Sequence, residues 1–289
     1  MGNRMISICT GPAAGYLLTL FAISGVAHAA EGPDPLFASD DIIEVRMEAP
    51  FRTIMQDRSI EEEIPAVFQY VNSSGDTVQF DIGFQTRGHF RRDPNICDFA
   101  PLRLNFKKSE TKGTLFDHQD KLKLVTHCVS SSPRYEQHVL SEYLVYKVFN
   151  LMADVSFRVR LLRVIYVDTA RNNKEKVSLA FLIEHRDRLA KRIDNAVIET
   201  SRVSFQDLNP DYTNLASVFH YFIRNTDFSP IATALDKNCC HNHSLFGNEG
   251  EDIYSVPYDF DMAGFVNAPH ARPNPRFKLR NVRVRRYRG

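Results

Sequence analysis

The sequence predicts an α+β fold of two lobes, with a β-rich N-terminal lobe over about 31–184 and a mixed C-terminal lobe over about 185–270. The first half is rich in short runs of β-branched and aromatic residues, which turn-forming stretches such as Asn72-Ser-Ser-Gly-Asp76 separate. Two longer segments carry apolar residues at helical spacing, and each follows a residue pair that favours a helix start. Short apolar runs that end in acidic residues follow the second of these segments.

Period-2 alternation and β-branched residues predict the strands. In the N-terminal lobe they are Ile42–Met47, Ala66–Tyr70, Val78–Thr86, Leu102–Phe106, Lys121–Val125, Arg160–Val167 and Val177–Ile183. In the C-terminal lobe, two short strands are expected at Ser244–Phe246 and Ile253–Val256, and the stretch 189–200 is expected to be helix or loop.

The first helix is predicted to start at Ser132-Pro133, because Ser caps free amides and Pro lacks the amide that would go unpaired. Apolar residues continue at helical spacing as far as Leu151. The second helix is predicted to start at Asn209-Pro210 and to end where Asn225-Thr-Asp227 begins. An acidic residue therefore follows this helix on a loop.

Composition indicates an ordinary globular protein: the 289 residues are 43% hydrophobic and 25% charged, with a formal net charge of +1. A chain of this length can form one large domain or one domain in two lobes. Its net charge is too small to indicate that it binds polyanions by bulk charge alone. The basic residues concentrate in a predicted tail over 271–289, which has no acidic residue. We expect a solvated tail, an edge strand around Val282 and Val284, or contact with phosphate or an acidic surface.

Residues 1–30 resemble a secretory signal peptide. Arg4 is their only charged residue, Tyr16–Val26 forms an apolar segment, and Ala27-His28-Ala29 fits the cleavage pattern. The alternative is an uncleaved anchor, although Gly and Pro residues interrupt the segment. The mature chain, without a transmembrane span, is expected to be periplasmic or secreted.

Four cysteines remain after the signal, and an oxidising compartment makes disulfides the expectation. Cys97 and Cys128 lie near predicted strands and are plausible partners, although the connectivity is not readable from sequence. Because Cys239 and Cys240 are adjacent, at least one of them is expected to bond elsewhere. A zinc site that includes His241 and His243 is the alternative, with a spacing that suits tetrahedral ligation poorly.

Acidic and amide side chains follow the helix and strands of the C-terminal lobe in the order that metal-assisted phosphoryl transfer requires. Asp227 is predicted to be the catalytic base or substrate-positioning acid. Asn242, Asp259 and Asp261 are predicted to bind Mg²⁺ or Mn²⁺, because hard cations prefer oxygen ligands. The interval from Asp227 to Asn242 exceeds that of protein kinases, and no Gly-rich loop of the usual type is present.

Several motifs occur in a characteristic order over roughly 65–265. They are Arg87-Gly-His-Phe-Arg91, Leu102-Arg-Leu-Asn-Phe-Lys107, Leu115-Phe116, the strand Lys121–Val125 with the helix after it, Phe181-Leu-Ile-Glu184, Asn225-Thr-Asp227 and Tyr258-Asp-Phe-Asp261. In this order they resemble the spore-coat-protein-H-type (CotH-like) atypical protein kinases.

The resemblance implies a two-lobed protein-kinase-like fold over 31–270, with a lobe boundary near residue 184. It also implies ATP and Mg²⁺ or Mn²⁺ as cofactors, and phosphate transfer to a protein Ser or Thr or to another hydroxyl group. Arg87 and Lys123 would then contact phosphate, Glu142 would orient a lysine, and Glu184 would lie at the hinge beside the adenine. No specific nucleic-acid partner is expected.

Two other interpretations stay open at the level of sequence. The run Asp259-Phe-Asp261 also fits a structural turn or the calcium loop of a binding module. The chain as a whole also fits a non-catalytic binding or surface protein on a kinase-like scaffold. The presence of both Asp227 and Asp259 favours catalysis, since a non-catalytic protein needs neither acid.

Overall fold

The structure, a computed structural model, describes residues 34–58, 62–233 and 239–288. The signal peptide predicted over 1–30 lies outside these residues. No helix within the described ranges is long and apolar enough to span a membrane.

The N-terminal strands close into a seven-stranded mixed barrel, and the expectation of a two-lobed protein-kinase-like fold is therefore wrong. The closing pair, β1 with β6, is parallel, with Ile43 opposite Leu162 and Ala49 opposite Asp168. All other neighbouring pairs in the order β1-β2-β3-β4-β5-β7-β6 are antiparallel. The strands are β1 Ile43–Ala49, β2 Ile64–Val71, β3 Thr77–Thr86, β4 Leu102–Asn105, β5 Lys121–Val125, β6 Val159–Asp168 and β7 Lys174–Ile183.

Side chains fill the barrel interior, because alternate residues of each strand point inward. In β1 every second residue from Ile43 to Ala49 is buried. Aromatic rings dominate one end, where the centroid of Phe116 lies 5.1 Å from that of Phe68 and 5.2 Å from that of Phe106. The interior is a packed core rather than a channel.

The described ranges contain five α-helices: α1 Phe51–Gln56, α2 Lys108–Thr111, α3 Arg134–Met152, α4 Arg186–Arg192 and α5 Pro210–Ile223. Helix α3 lies on the outside of the barrel, where Tyr146 packs against Phe181 of β7 at 5.7 Å between ring centroids. The expected Ser132 cap is absent, since Pro133 is the N-cap and makes no side-chain hydrogen bond. Asn209 does cap α5, as predicted, by accepting from the amide of Tyr212.

A second sheet, in the order β10-β9-β8, follows the barrel in the chain. Its strands are β8 Ala196–Ile198, β9 His243–Gly247 and β10 Tyr254–Pro257. The last two match the predicted strands, but β8 lies in a stretch expected to be helix or loop. A second core, which includes Phe181, Phe219 and Phe260, joins this sheet and the helices to the outer face of the barrel.

The basic segment after residue 270 folds back onto the loop that follows α5. Val282 is buried, and the expected edge strand around it does not form. A Cβ atom on Gly264 would lie 2.1 Å from the carbonyl oxygen of Val282, so only glycine permits this approach. Near its end, the guanidinium of Arg288 donates to the carbonyls of Thr226 and Phe228 and covers the Phe228 ring at 4.4 Å.

Candidate functional site

The loop after β10 presents Asp259 where the barrel meets the second sheet. Asp259 adopts a left-handed φ of 60°, and its amide donates to the hydroxyl of Tyr146 on α3 over 2.8 Å. Phe260, which follows, is fully buried and packs on Tyr146 with 4.7 Å between ring centroids. The loop is therefore anchored on both sides of a carboxylate that remains 37% exposed.

A buried arginine gathers three carboxylates beneath this loop. We call Arg91, Glu142, Asp259 and Asp261 the Arg91 cluster. The guanidinium of Arg91 lies 3.1 Å from Asp261 and 3.6 Å from both Glu142 and Asp259. Because its members come from the β3–β4 loop, α3 and the loop after β10, the cluster joins the barrel to the C-terminal part of the chain.

The two deeper carboxylates of the cluster differ in protonation. Burial raises the pKa of Glu142 to about 8, despite the nearby Arg91, and its Oε1 has no partner among the described residues. Burial also opposes ionisation of Asp261, but Arg91 and the hydrogen bond from His270 outweigh it and lower the pKa of Asp261. Asp261 is therefore a structural anion held by Arg91 and His270, and Glu142 faces an arginine instead of the predicted lysine.

Two further cations lie beside Asp259. Lys123, on the outer face of β5, holds its Nζ 4.6 Å from the centroid of the Tyr258 ring. Burial, reinforced by Arg87, lowers the pKa of Lys123 to about 8, while Asp259 acts in the opposite direction. The Nε of Arg87 is buried and has no hydrogen-bond partner among the described residues. The predicted phosphate-contacting residues therefore converge next to the exposed carboxylate of Asp259.

Asp227 lies in a closely bonded loop after α5. Its amide donates to Asn225 over 2.9 Å, and its Oδ1 lies 2.8 Å from Nε2 of His241. The amide group of Asn242 donates to the carbonyl of Asp227 over 2.7 Å and to its Oδ2 over 3.1 Å. The hydrogen bond that His241 donates to Asp227, strengthened by the charges of Asp227 and Asp259, raises the pKa of His241 above its ordinary value.

Asn242 links the two predicted acidic positions. Its carbonyl accepts from the amide of Tyr258 over 3.0 Å, and Tyr258 immediately precedes Asp259. With the side-chain NH₂ engaged by Asp227, the Oδ1 of Asn242 has no partner within the described part of the chain. Asp227, Asn242 and Asp259 thus belong to one continuous arrangement, although the chain between the first two is long.

Glu184 occupies a different setting. Both of its carboxylate oxygens pair with Arg192 of α4, at 3.0 and 2.9 Å, and one also accepts from the amide of Arg158. The backbone amide of Glu184 donates to the carbonyl of Arg158. This buried residue is thus part of a structural ion pair at the point where the chain leaves the barrel.

The four described cysteines form two disulfides. Cys97 bonds to Cys128, the pairing that the sequence made plausible. Cys239 bonds to Cys240, so the expectation that one of them bonds elsewhere is wrong. His243 is also engaged, at 3.0 Å from His220 between Nε2 atoms, and no group of three His, Cys, Asp or Glu residues in the described ranges is arranged to bind a metal ion.

Sequence reasoning did not assign roles to Arg91, His241 or His270. Arg91 was noted only as part of the run Arg87-Gly-His-Phe-Arg91, and His241 only as a possible zinc ligand. A loop arginine has no periodicity that reveals its burial, so no local signal identifies it as the centre of three carboxylates.

Comparison of the chain with protein-family models, curated proteins and solved structures gave no match.

Proposed function

We propose that this chain is an extracytoplasmic phosphotransferase that moves a phosphoryl group from ATP to a hydroxyl group, with a protein Ser or Thr as the acceptor. The observation that carries the proposal is the convergence of Arg87 and Lys123 beside the exposed carboxylate of Asp259, with the buried Nε of Arg87 unpaired among the described residues. An internal ion pair alone would not leave this donor unpaired. Phosphate oxygens would accept from Arg87 and attract Lys123.

The donor set suits Mg²⁺ or Mn²⁺ as well. Asp259 offers an exposed carboxylate, and Asn242 offers an amide oxygen without a partner in the described chain. Both are hard oxygen donors of the type these cations select. A bound divalent cation would offset the charge of the transferring phosphoryl group.

In this proposal each residue of the chain has a separate task. Arg87 and Lys123 bind the phosphates, and the Arg91 cluster holds the loop that carries Asp259. Asp227 orients the acceptor hydroxyl and takes its proton, while His241 fixes the carboxylate through Oδ1. These tasks are positioning and electrostatic stabilisation, which account for most of the catalysis in phosphoryl transfer.

The order of motifs shared with the CotH-like kinases also supports the proposed chemistry. Since function depends on sites more than on folds, the barrel does not exclude this chemistry. Two disulfides support an oxidising compartment and hence a periplasmic or secreted protein.

A second candidate is an anion-binding protein without turnover. Both oxygens of Asp227 already accept hydrogen bonds, one from His241 and one from Asn242, and this favours a structural role for the acid. Such a protein would bind ATP through Arg87 and Lys123 and transfer nothing.

Calorimetric titration with ATP, in the presence and absence of Mg²⁺ or Mn²⁺, tests the proposal. Lys123→Met should weaken ATP binding at least about tenfold, whereas Lys121→Met on the same strand should leave it unchanged. Asp259→Asn should remove the benefit of the metal, and Asp81→Asn on the barrel exterior should not.

Transfer of labelled phosphate to a mixture of secreted proteins then separates the two candidates. Asp227→Asn should abolish transfer while ATP still binds. Binding without transfer in the unmodified chain would favour the second candidate, and equal ATP binding by Lys123→Met and the unmodified chain would exclude both.

A further inference from the structure

A cavity of about 660 Å³ lies far from the Asp259 loop, at the other end of the β6–β7 ladder. Lys123 of β5 pairs with Ile183 of β7, which also pairs with Val159 of β6. The pair Tyr166–Lys176, which lines the cavity, lies seven residues further along β6 and β7. Seven residues of strand span roughly 23 Å. The cavity is therefore separate from the proposed phosphotransfer site, and its volume falls within the range of small-molecule pockets.

Three aromatic rings form the apolar side of the cavity. The ring centroids of Phe51, Phe99 and Tyr166 lie 5.0 to 5.6 Å from one another, and Met55 extends the same surface. Phe51 and Tyr166 are each 3% exposed, so helix α1 and the barrel fix their positions. The protein covers most of each ring, so a bound group would meet their exposed margins together with Met55.

The walls are formed in advance by hydrogen bonds within the chain. Arg58 donates to the carbonyls of Met55, Cys97 and Asp98. The amide of Ser130 donates to the carboxylate of Asp98, and the Cys97–Cys128 disulfide joins the two loops that carry these residues. The polar groups of the walls are thus mostly engaged with one another.

The mouth of the cavity has an excess of positive charge. The cations are Arg52, Arg171 and Lys174, which are exposed and form no ion pair within the described ranges. The nearby acids are engaged, because Asp168 accepts from the amides of Arg52 and Ala170, and Glu175 pairs with Arg46. An anion at the mouth would therefore be attracted.

We propose that this cavity binds a small amphipathic anion, with its apolar body against Met55 and the exposed margins of the rings of Phe51, Phe99 and Tyr166, and its anionic group at Arg171 and Lys174. The inference does not depend on the proposed phosphotransfer. A molecule bound there would stabilise the fold, because it would connect α1, the disulfide-linked loops and the β6–β7 turn.

Two fluorescent probes test both parts of the proposal: 8-anilinonaphthalene-1-sulfonate, which is anionic, and N-phenyl-1-naphthylamine, which has a similar apolar body without charge. The unmodified chain should bind the anionic probe more tightly. The double variant Arg171→Gln with Lys174→Gln should weaken the anionic probe about tenfold and leave the neutral probe unchanged. The matched control is Lys108→Gln with Lys112→Gln on another surface.

Ser131→Trp should fill the mouth and abolish binding of both probes, whereas Ser109→Trp on α2 should not. Near-ultraviolet circular dichroism verifies that each variant is folded. Unchanged binding of the anionic probe to folded Ser131→Trp, or to the double charge variant, would overturn the proposal, as would its failure to bind the unmodified chain.

Discussion

Arg91 and Asp261 form a buried ion pair at 3.1 Å, and each side chain is about one-tenth exposed. Arg91 belongs to the loop between β3 and β4, and Asp261 belongs to the loop after β10. The pair therefore joins two parts of the chain that share no strand pairing. Since the same guanidinium also lies near Asp259 and Glu142, Arg91 helps to hold the proposed metal-binding loop together with Tyr146 and His270.

Replacement of Arg91 by methionine should destabilise the fold strongly. The substitution would leave buried carboxylates without their cation, and breaking such a pair costs about 3–5 kcal/mol. Urea denaturation measures the change in the free energy of unfolding. Arg163→Met, which removes an exposed pair with Glu44, should cost no more than about 1 kcal/mol. Equal effects of the two variants would show that Arg91 is not a buried structural centre.

The substitution Glu142→Gln should make the stability of the fold less sensitive to a rise in pH from about 4.5 to about 8. Because the folded-state pKa of Glu142 is raised to about 8, the protonated carboxyl contributes stability below its ordinary pKa of 4.5. This contribution is lost as pH rises from about 4.5 through about 8. The stability of Glu142→Gln relative to the unmodified chain should therefore increase over that window. Glu249→Gln at an exposed turn should show no such trend, and a flat difference for Glu142→Gln would contradict the prediction.

The buried pair His220–His243 should make the fold sensitive to acid. Burial lowers the pKa of both residues, that of His243 to about 3, and their Nε2 atoms lie 3.0 Å apart. The unfolded chain takes up protons near the ordinary pKa of 6.5, so stability is lost as pH falls from about 6.5 towards about 3. The stability deficit of His243→Gln should shrink over this range in urea titrations at successive pH values. The exposed control His89→Gln should give a constant difference, and a constant deficit for His243→Gln would refute the expectation.

ATP affinity should fall as pH rises through about 8, the pKa to which burial lowers Lys123. Above this value more of the free protein has a neutral Lys123, which attracts phosphate less strongly. Lys123→Arg keeps its charge over the whole range, so its affinity should vary less between pH 7 and pH 9.5, measured by calorimetry. Lys121→Arg should reproduce the profile of the unmodified chain. Identical profiles for Lys123→Arg and the unmodified chain would exclude Lys123 as the titrating group.

Gly264→Ala should displace the basic C-terminal segment. The added methyl group would meet the carbonyl oxygen of Val282 at 2.1 Å and the Cβ of Arg224 at 2.8 Å, which leaves little room to adjust. Limited digestion with trypsin should cleave the arginine-rich segment faster in this variant. Phe265→Ala, at the neighbouring half-exposed position, should leave the cleavage rate nearly unchanged. Equal rates for Gly264→Ala and the unmodified chain would show that the segment does not depend on this contact.

Local sequence patterns predicted the positions of most barrel strands well. They did not predict that these strands close into a barrel. Alternation is visible within five to ten residues, so β3, β5 and β6 lie within about a residue or two of their predicted bounds. Closure depends on parallel pairing between Ile43 and Leu162, and composition does not encode which distant strands pair. The three residues of β8 were missed, because so short a strand has no measurable period.

The candidate site was likewise predicted in part, because local sequence placed its loops but not the contacts between them. Asp227, Asn242 and Asp259 were predicted from their places after a helix and two strands, and hydrogen bonds link the loops that carry them. The contact of Glu142 with Arg91 was not predicted, because it joins a helix to an irregular loop. Which cation faces which carboxylate depends on tertiary packing, and the chain spacing of these residues does not specify it.

The parallel pairing of β1 with β6 has a consequence for biosynthesis. Strand β1 forms early, but its partner ends at Asp168, so the first five strands emerge from the ribosome as an open sheet with two unpaired edges. Such edges can pair with other chains, and late contacts between distant segments slow folding. The barrel cannot close until β6 and β7 have been synthesised, because β1 pairs with β6 and β5 pairs with β7.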